Sequence, residues 1–222
     1  MIRKTGYTLA LAMVTLAASG AAQEDPWQHR WFWGAQGGLM RFQTPSAAGW
    51  QEAFSVGGHW LITSTHSALY AAFDHVIFKD STTSLLADAS SATQFRTIDF
   101  TNGRRIQALL YIFPTNGFIQ PYLGGGFGIH QLTDAFPQGG AAAFNTPQEF
   151  ENILRVIDET STKAFPIFSG GLQLRFGRLA AFGQAQYMPM GRNYLISSAQ
   201  YVGSVGLRYS LTGSREEVTT RR

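Results

Sequence analysis

The chain contains no cysteine in 222 residues. That excludes a disulfide framework, thiolate metal sites and thiol chemistry. Charge is also scarce, because Asp, Glu, Lys and Arg together make up 14% of the residues. Seventeen basic residues face 14 acidic ones. Arg3 and Lys4 lie in the first 22 residues, and residues 23–211 hold 12 of each sign. The calculated pI of about 9.3 therefore marks no basic surface for nucleic acid. After the N-terminal segment the sequence has no run of ~18 consecutive apolar residues, so no membrane-spanning helix is expected. Yet 45% of the residues are hydrophobic and 14% are aromatic, and the mean hydropathy is −0.06. The apolar residues must be spread over many short segments.

Three regions are expected. The start, Met1-Ile2-Arg3-Lys4, is basic; an apolar stretch follows from about Tyr7 to Ala18, and Ser19-Gly20-Ala21-Ala22 closes it. This is the order of a secretory signal peptide, residues 1–22, with cleavage after Ala22. Its apolar part is shorter than the ~20 residues a spanning helix needs. Residues 23–211 form the folded domain, and residues 212–222 a polar tail.

The folded part alternates with a two-residue period. In Gln200–Leu211 the odd positions are Tyr201, Gly203, Val205, Leu207, Tyr209 and Leu211, and the even ones include Gln200, Ser204, Gly206, Arg208 and Ser210. One face is apolar with aromatic ends, and the other is small or polar. Such a strand suits lipid on one side and a polar lumen on the other. Seven further spans read the same way: Trp31–Phe42, Phe54–Thr63, Ala68–Phe78, Phe100–Phe113, Ile119–Gln131, Phe165–Phe176 and Leu179–Met188. The even connections are short: Ser64-Thr65-His66, Pro114-Thr115-Asn116-Gly117 and Gly177-Arg178. Asn-Gly and Gly-Arg are hairpin-turn chemistry. The odd connections are longer: Gln43–Ala53, Lys79–Asp99, Leu132–Ala164 and Pro189–Ser198. This parity fits an all-β, eight-stranded antiparallel up-and-down transmembrane barrel with short periplasmic turns and long outer loops. Aromatics near the span ends, such as Trp31, Trp33, Trp60, Tyr187, Tyr201 and Tyr209, suit interface girdles.

Inside the third long loop, Thr146-Pro147-Gln148-Glu149 is a capping box with proline at the first helical position. Phe150, Ile153, Leu154 and Ile157 then share one helical face. A short loop helix lying as a lid over the outer mouth is expected. A partner- or ligand-facing patch is the alternative reading of that stripe.

On these residues the chain resembles small outer-membrane barrels of the OmpA/OmpX-like and OmpW-like type. Gln120-Pro121-Tyr122-Leu123-Gly124-Gly125-Gly126-Phe127-Gly128 looks like their Pro-Tyr-x-Gly-x-Gly strand. Ser204-x-Gly206-x-x-Tyr209-x-Leu211 resembles the signal read by the barrel-insertion machinery, although a polar tail follows it here. The resemblance implies the bacterial outer membrane as location, with its lipid and that machinery as partners.

Arg105, Arg175 and Arg208 fall on the expected lumen face with Gln107, Gln173 and Gln184, and Asp74, Asp99 and Glu52 are the candidate counter-charges. An eight-stranded barrel is just wide enough for side chains to fill, and buried charges need partners. A structural lumen network is expected, with a narrow anion-leaning conduit as the alternative. Catalytic signals are missing. There is no Gly-x-Ser-x-Gly elbow and no lipid A deacylase-like His-x-Ser-Asn string. His59, His75 and His130 lack metal-ligand spacing. His130 with Asp134 or Asp158 is the one arrangement from which a hydrolase-like site would be built, and a rim histidine is the simpler reading. No cofactor and no enzymatic activity are expected. The leading expectation is a structural scaffold displaying surface loops to an unidentified partner. The alternative is a narrow channel or transporter for small or hydrophobic molecules, and a lipid-modifying enzyme comes third.

Overall fold

A computed structural model describes residues 29–79, 82–89, 91, 93–189 and 194–211. The signal peptide and polar tail read from the sequence lie outside the described residues. Eight strands form a closed barrel: β1 (Trp31–Phe42), β2 (Gln51–Thr63), β3 (Ser67–Ile77), β6 (Asn102–Ile112), β7 (Ile119–Thr133), β9 (Thr162–Phe176), β10 (Leu179–Met188) and β11 (Gln200–Ser210). Each pairs antiparallel with its sequence neighbour in the barrel. The first and last strands close the ring through pairs such as Trp33↔Tyr209 and Arg41↔Tyr201. Closure leaves no unpaired strand edge, which matters because backbone groups facing lipid have no water to bond.

The remaining strands lie in the long loops. β4 (Thr83–Ala87) and β5 (Phe95–Asp99) form a hairpin that β8 (Phe136–Pro137) joins as a third strand. The helix α1 (Pro147–Ser161) leads directly into β9. Its cap follows the sequence: Glu149 N–H donates to Thr146 Oγ1 at 3.3 Å, and Glu149 Oε2 accepts from Asn145 N–H at 3.2 Å. The first bond satisfies one orphan donor of the helix start, and the second holds the residue before the N-cap.

The alternation in sequence becomes an inside and an outside. Outward positions are large and apolar, with Leu123 and Phe127 each 72% exposed and Val205 69% exposed. A face of this kind in water would be an aggregation surface, and in a bilayer it is the lipid belt. Aromatic rings band both ends of the belt. At the short-turn end Trp60 stacks on Trp33 at 5.7 Å and meets Trp31 edge-on at 5.1 Å. At the long-loop end Tyr201 contacts Tyr187 at 5.3 Å and Trp50 at 5.6 Å. Inward positions are close to fully buried, among them Tyr70, Tyr111, Tyr122, Arg105 and Arg208. Gly177 takes φ 63 in its turn, a conformation open to glycine at little cost, whereas Asn116 and Gly117 do not enter that region, so the Asn-Gly pair does not form the two-residue hairpin turn expected of it.

The glycine run of β7 fits neighbouring strands closely. A Cβ at Gly126 would strike the Ala108 carbonyl oxygen and come within 2.7 Å of Leu109 Cα. The small face of β7 leaves room for the Tyr111 ring beside Gly124 and the Ile167 side chain beside Gly128. Gly126→Ala is expected to destabilise the barrel by about 1–3 kcal/mol, the usual cost of overpacking. Urea unfolding in vesicles would measure it.

Candidate functional site: the filled lumen and the covered mouth

The lumen network is built from cross-strand neighbours. Asp74 on β3 lies directly opposite Arg105 on β6. Arg105 donates to Asp74 Oδ2 from Nη2 at 2.8 Å and from Nε at 3.2 Å. Gln107 Nε2 donates to the same oxygen at 3.1 Å, and Gln36 Nε2 to Oδ1 at 2.6 Å. The carboxylate thus holds four donors in a site almost closed to solvent. Gln36 reaches it across Gly57, where a Cβ would collide with the carboxylate. Gln36 in turn accepts from the Tyr70 hydroxyl at 2.7 Å.

A second layer gathers around Gln184. Its Oε1 accepts from Tyr111 at 3.0 Å and Tyr122 at 3.4 Å, and its Nε2 donates to Tyr70 at 3.4 Å. The three tyrosine rings pack in series, Tyr70 to Tyr111 at 5.2 Å and Tyr111 to Tyr122 at 4.8 Å. Nearer the short-turn end, Gln173 donates to Gln120 at 3.0 Å. Arg208 lies with its guanidinium carbon 4.0 Å from the Phe182 ring centre.

Of the residues expected in the lumen, Asp74, Arg105 and Gln107 are therefore joined directly. Gln184 binds the tyrosines, Gln173 binds Gln120, and Arg208 stands apart on Phe182. Arg175 faces inward by register opposite Ala180 and is half-buried near the short-turn end. Gln36 and the buried Arg30 carry no expectation from the sequence. Alternation puts Gln36 on the inward face, but its bond to Asp74 depends on a register two strands away.

The expected insertion signal divides by face. Ser204 and Gly206 point inward, while Tyr209 and Leu211 are exposed. Gly206 leaves room for the Phe182 ring, which a Cβ would meet at 2.7 Å.

At the long-loop end the lumen turns apolar. Met40, Phe42, Val76, Phe78, Phe100, Phe165 and Met188 form one cluster with loop residues Leu86, Ile98, Tyr194, Leu195 and Ile196. On α1, Ile153 and Ile157 are buried in the same cluster and Leu154 packs against it. Phe150 is half-buried with its ring 5.1 Å from Phe144. The helix rests on β7, β8 and β9. The last long loop is tied down by its backbone: Ser84 Oγ donates to Leu195 O at 2.5 Å, and Ser197 N–H to Gln43 O at 3.0 Å. Burial pushes the Tyr194 hydroxyl well above the usual phenol range, so it stays a neutral member of the cap.

The histidines take structural surroundings. His130 is buried beside Phe78 and Phe165, with Gln200 Nε2 3.4 Å from its Nδ1. Asp134 binds Asn102 at 2.9 Å instead. Among the described residues no three His, Asp or Glu side chains converge as metal ligands. On the loop surface Arg96 binds Asp88 at 2.8 Å, donates to Ala143 O at 3.1 Å and covers the Phe144 ring at 3.7 Å. It clamps the β4–β5 hairpin to the segment before α1, and Phe95 and Phe136 remain exposed on this platform.

No known protein family matches the chain, and no curated protein sequence matches it. Solved structures do. The crystal structure of Neisserial surface protein A (NspA) superposes with a TM-score of 0.55 at 13% identity, over 81% of this chain and 96% of that one. The N-terminal β-barrel domain of Pseudomonas aeruginosa OprF gives 0.46 at 10% identity, over 82% and 98%. The outer membrane protein OprG of the same species gives 0.45 at 12%, over 82% and 97%. The fold is that of a small outer-membrane β-barrel, as the likeness to NspA shows.

Proposed function

We propose that this chain is an integral protein of the bacterial outer membrane that acts as a non-enzymatic, closed scaffold presenting an ordered loop surface. One observation carries the reading: buried side chains block the interior at successive levels. From the short-turn end upward the lumen holds Phe113 and Tyr122, then Tyr111 and Tyr70, then the Asp74–Arg105 pair, then the aromatic and aliphatic cap. A conducting pore needs a continuous wet path, and side chains occupy it here. With short turns periplasmic and long loops outward, the clamped hairpin, β8 and α1 stand on the cell surface. Their stapling by Arg96 and the capping box suits a platform for a partner, and Phe95 and Phe136 are the exposed apolar contacts it offers.

A narrow transporter for hydrophobic molecules has one observation in its favour. A groove of about 680 Å³ runs along the outer wall, lined by Gly37, Leu39, Phe54, Ala185, Tyr201 and Gly203. Most of its lining residues face outward, although Gln186, Val202 and Ser204 of the inward face also border it, and the side chains that block the interior favour the scaffold reading. Planar-bilayer recording separates the two. The refolded barrel is expected to show no steady conductance, and deleting residues 146–159 is expected to leave it closed, because the layers beneath α1 remain. Stable unitary steps from the intact protein would overturn the closed-scaffold reading.

A further inference from the structure

Among the described residues, Arg105 and Arg208 are buried in the lumen, and Asp74 is the only buried acidic residue. Asp74 is engaged by Arg105, Gln36 and Gln107. Arg208 is 1% exposed, and its Nε, Nη1 and Nη2 have no hydrogen-bond partner. Arginine cannot shed its proton in a protein. A buried guanidinium therefore needs either a counter-charge or several acceptors. Phe182 offers only its ring face. The Tyr122 hydroxyl approaches the guanidinium without a formed hydrogen bond.

The surroundings of Arg208 are those of an anion receptor. Gly34 on β1 pairs with Arg208 on one side and His59 on the other. Having no side chain, Gly34 lets the His59 ring lie across it, where any Cβ would collide. His59 is 4% exposed, and neither ring nitrogen has a partner. Its ring meets Phe182 edge-on at 5.0 Å, and Arg208 covers the same Phe182 at 4.0 Å. Two nitrogen-rich groups thus share one aromatic floor, and both have donors to spare. On β11, Ser204 Oγ also lacks a partner.

We propose that the lumen holds a small monovalent inorganic anion of chloride size at Arg208. The guanidinium and the His59 ring N–H donate to it. A bound halide would offset the positive charge of Arg208. The proposal stands whether or not the barrel conducts, since it concerns a resident ion below the apolar cap.

The test uses the full barrel refolded in detergent, with potassium gluconate exchanged for potassium chloride or bromide at constant ionic strength. The heat-unfolding midpoint is expected to rise saturably with halide, because a ligand of the folded state stabilises by mass action. The rise should be absent in Arg208→Gln and reduced in His59→Phe. Bromide-soaked crystals are expected to show an anomalous peak in contact with Arg208. Equal midpoints in gluconate and halide would overturn the proposal. So would an Arg208→Gln barrel that keeps the full halide response, or bromide peaks confined to the surface. If Arg208→Gln does not fold, the His59→Phe response and the bromide map decide.

Discussion

Asp74→Ala is expected to lower the unfolding free energy by about 3–5 kcal/mol, the loss seen when one member of a buried pair is removed. The substitution leaves Arg105 charged, 1% exposed and without its carboxylate. Gln36 and Gln107 also lose the acceptor for their amide groups. Asp74→Asn should fall between wild type and Ala, since it keeps one acceptor oxygen and removes the charge. The double variant Asp74→Leu, Arg105→Met should recover much of the loss, because an apolar replacement of both partners strands no charge. Urea titration of folding into vesicles measures all three. A loss for Asp74→Ala of about 1 kcal/mol or less, typical of an exposed ion pair, would mean that water reaches Arg105. The lumen would then be wetter than the packing described above, and the closed-scaffold reading would weaken with it.

The barrel was legible in the sequence because lipid on one side and a packed lumen on the other impose a strict two-residue period. β1 and β10 run over Trp31–Phe42 and Leu179–Met188, the spans that alternation alone delimits. β2 and β9 each begin three residues earlier than expected, at Gln51 and Thr162. Those extensions, Gln51-Glu52-Ala53 and Thr162-Lys163-Ala164, lie past the lipid belt, where polar residues face outward and the period loses its contrast. The hairpin of β4 and β5 was hidden for the same reason. It lies in a connection read as loop, with five-residue strands and no girdle aromatics. The loop helix was legible from its capping box.

The site was half legible. Asp74 and Arg105 share a face by parity, and adjacency of their strands brings them together. The bond from Gln36 to Asp74 depends on Gly57 lying between them, and the isolation of Arg208 depends on how the ring closes. Parity names the face a residue occupies. It does not say which neighbour, two strands away, its side chain will reach.

Val205→Arg is expected to cost about 2–4 kcal/mol, with Leu207→Arg below it and Tyr209→Arg within about 1 kcal/mol of wild type, because a charge on the lipid face is penalised by depth. The outward face of β11 supplies the ruler: Tyr201, Gly203, Val205, Leu207 and Tyr209 in order. Tyrosines mark both interfaces, so Val205 is the central position. It lies between Gly37 and Gly183 on the neighbouring strands, with no large side chain beside it to screen a charge. Leu207 lies between Ala35 and Ala181, one step nearer the tryptophan girdle. An arginine there can extend its head toward the interface, as long basic side chains do. Equilibrium folding into vesicles gives the three values on one scale. A one-residue slip of β11 would turn its whole apolar face inward, and Val205→Arg would then be tolerated while Ser204→Arg was not. A flat series, with all three substitutions equally costly, would contradict a lipid-exposed face. It would indicate that this wall, beside the groove at Gly37 and Gly203, is covered by protein.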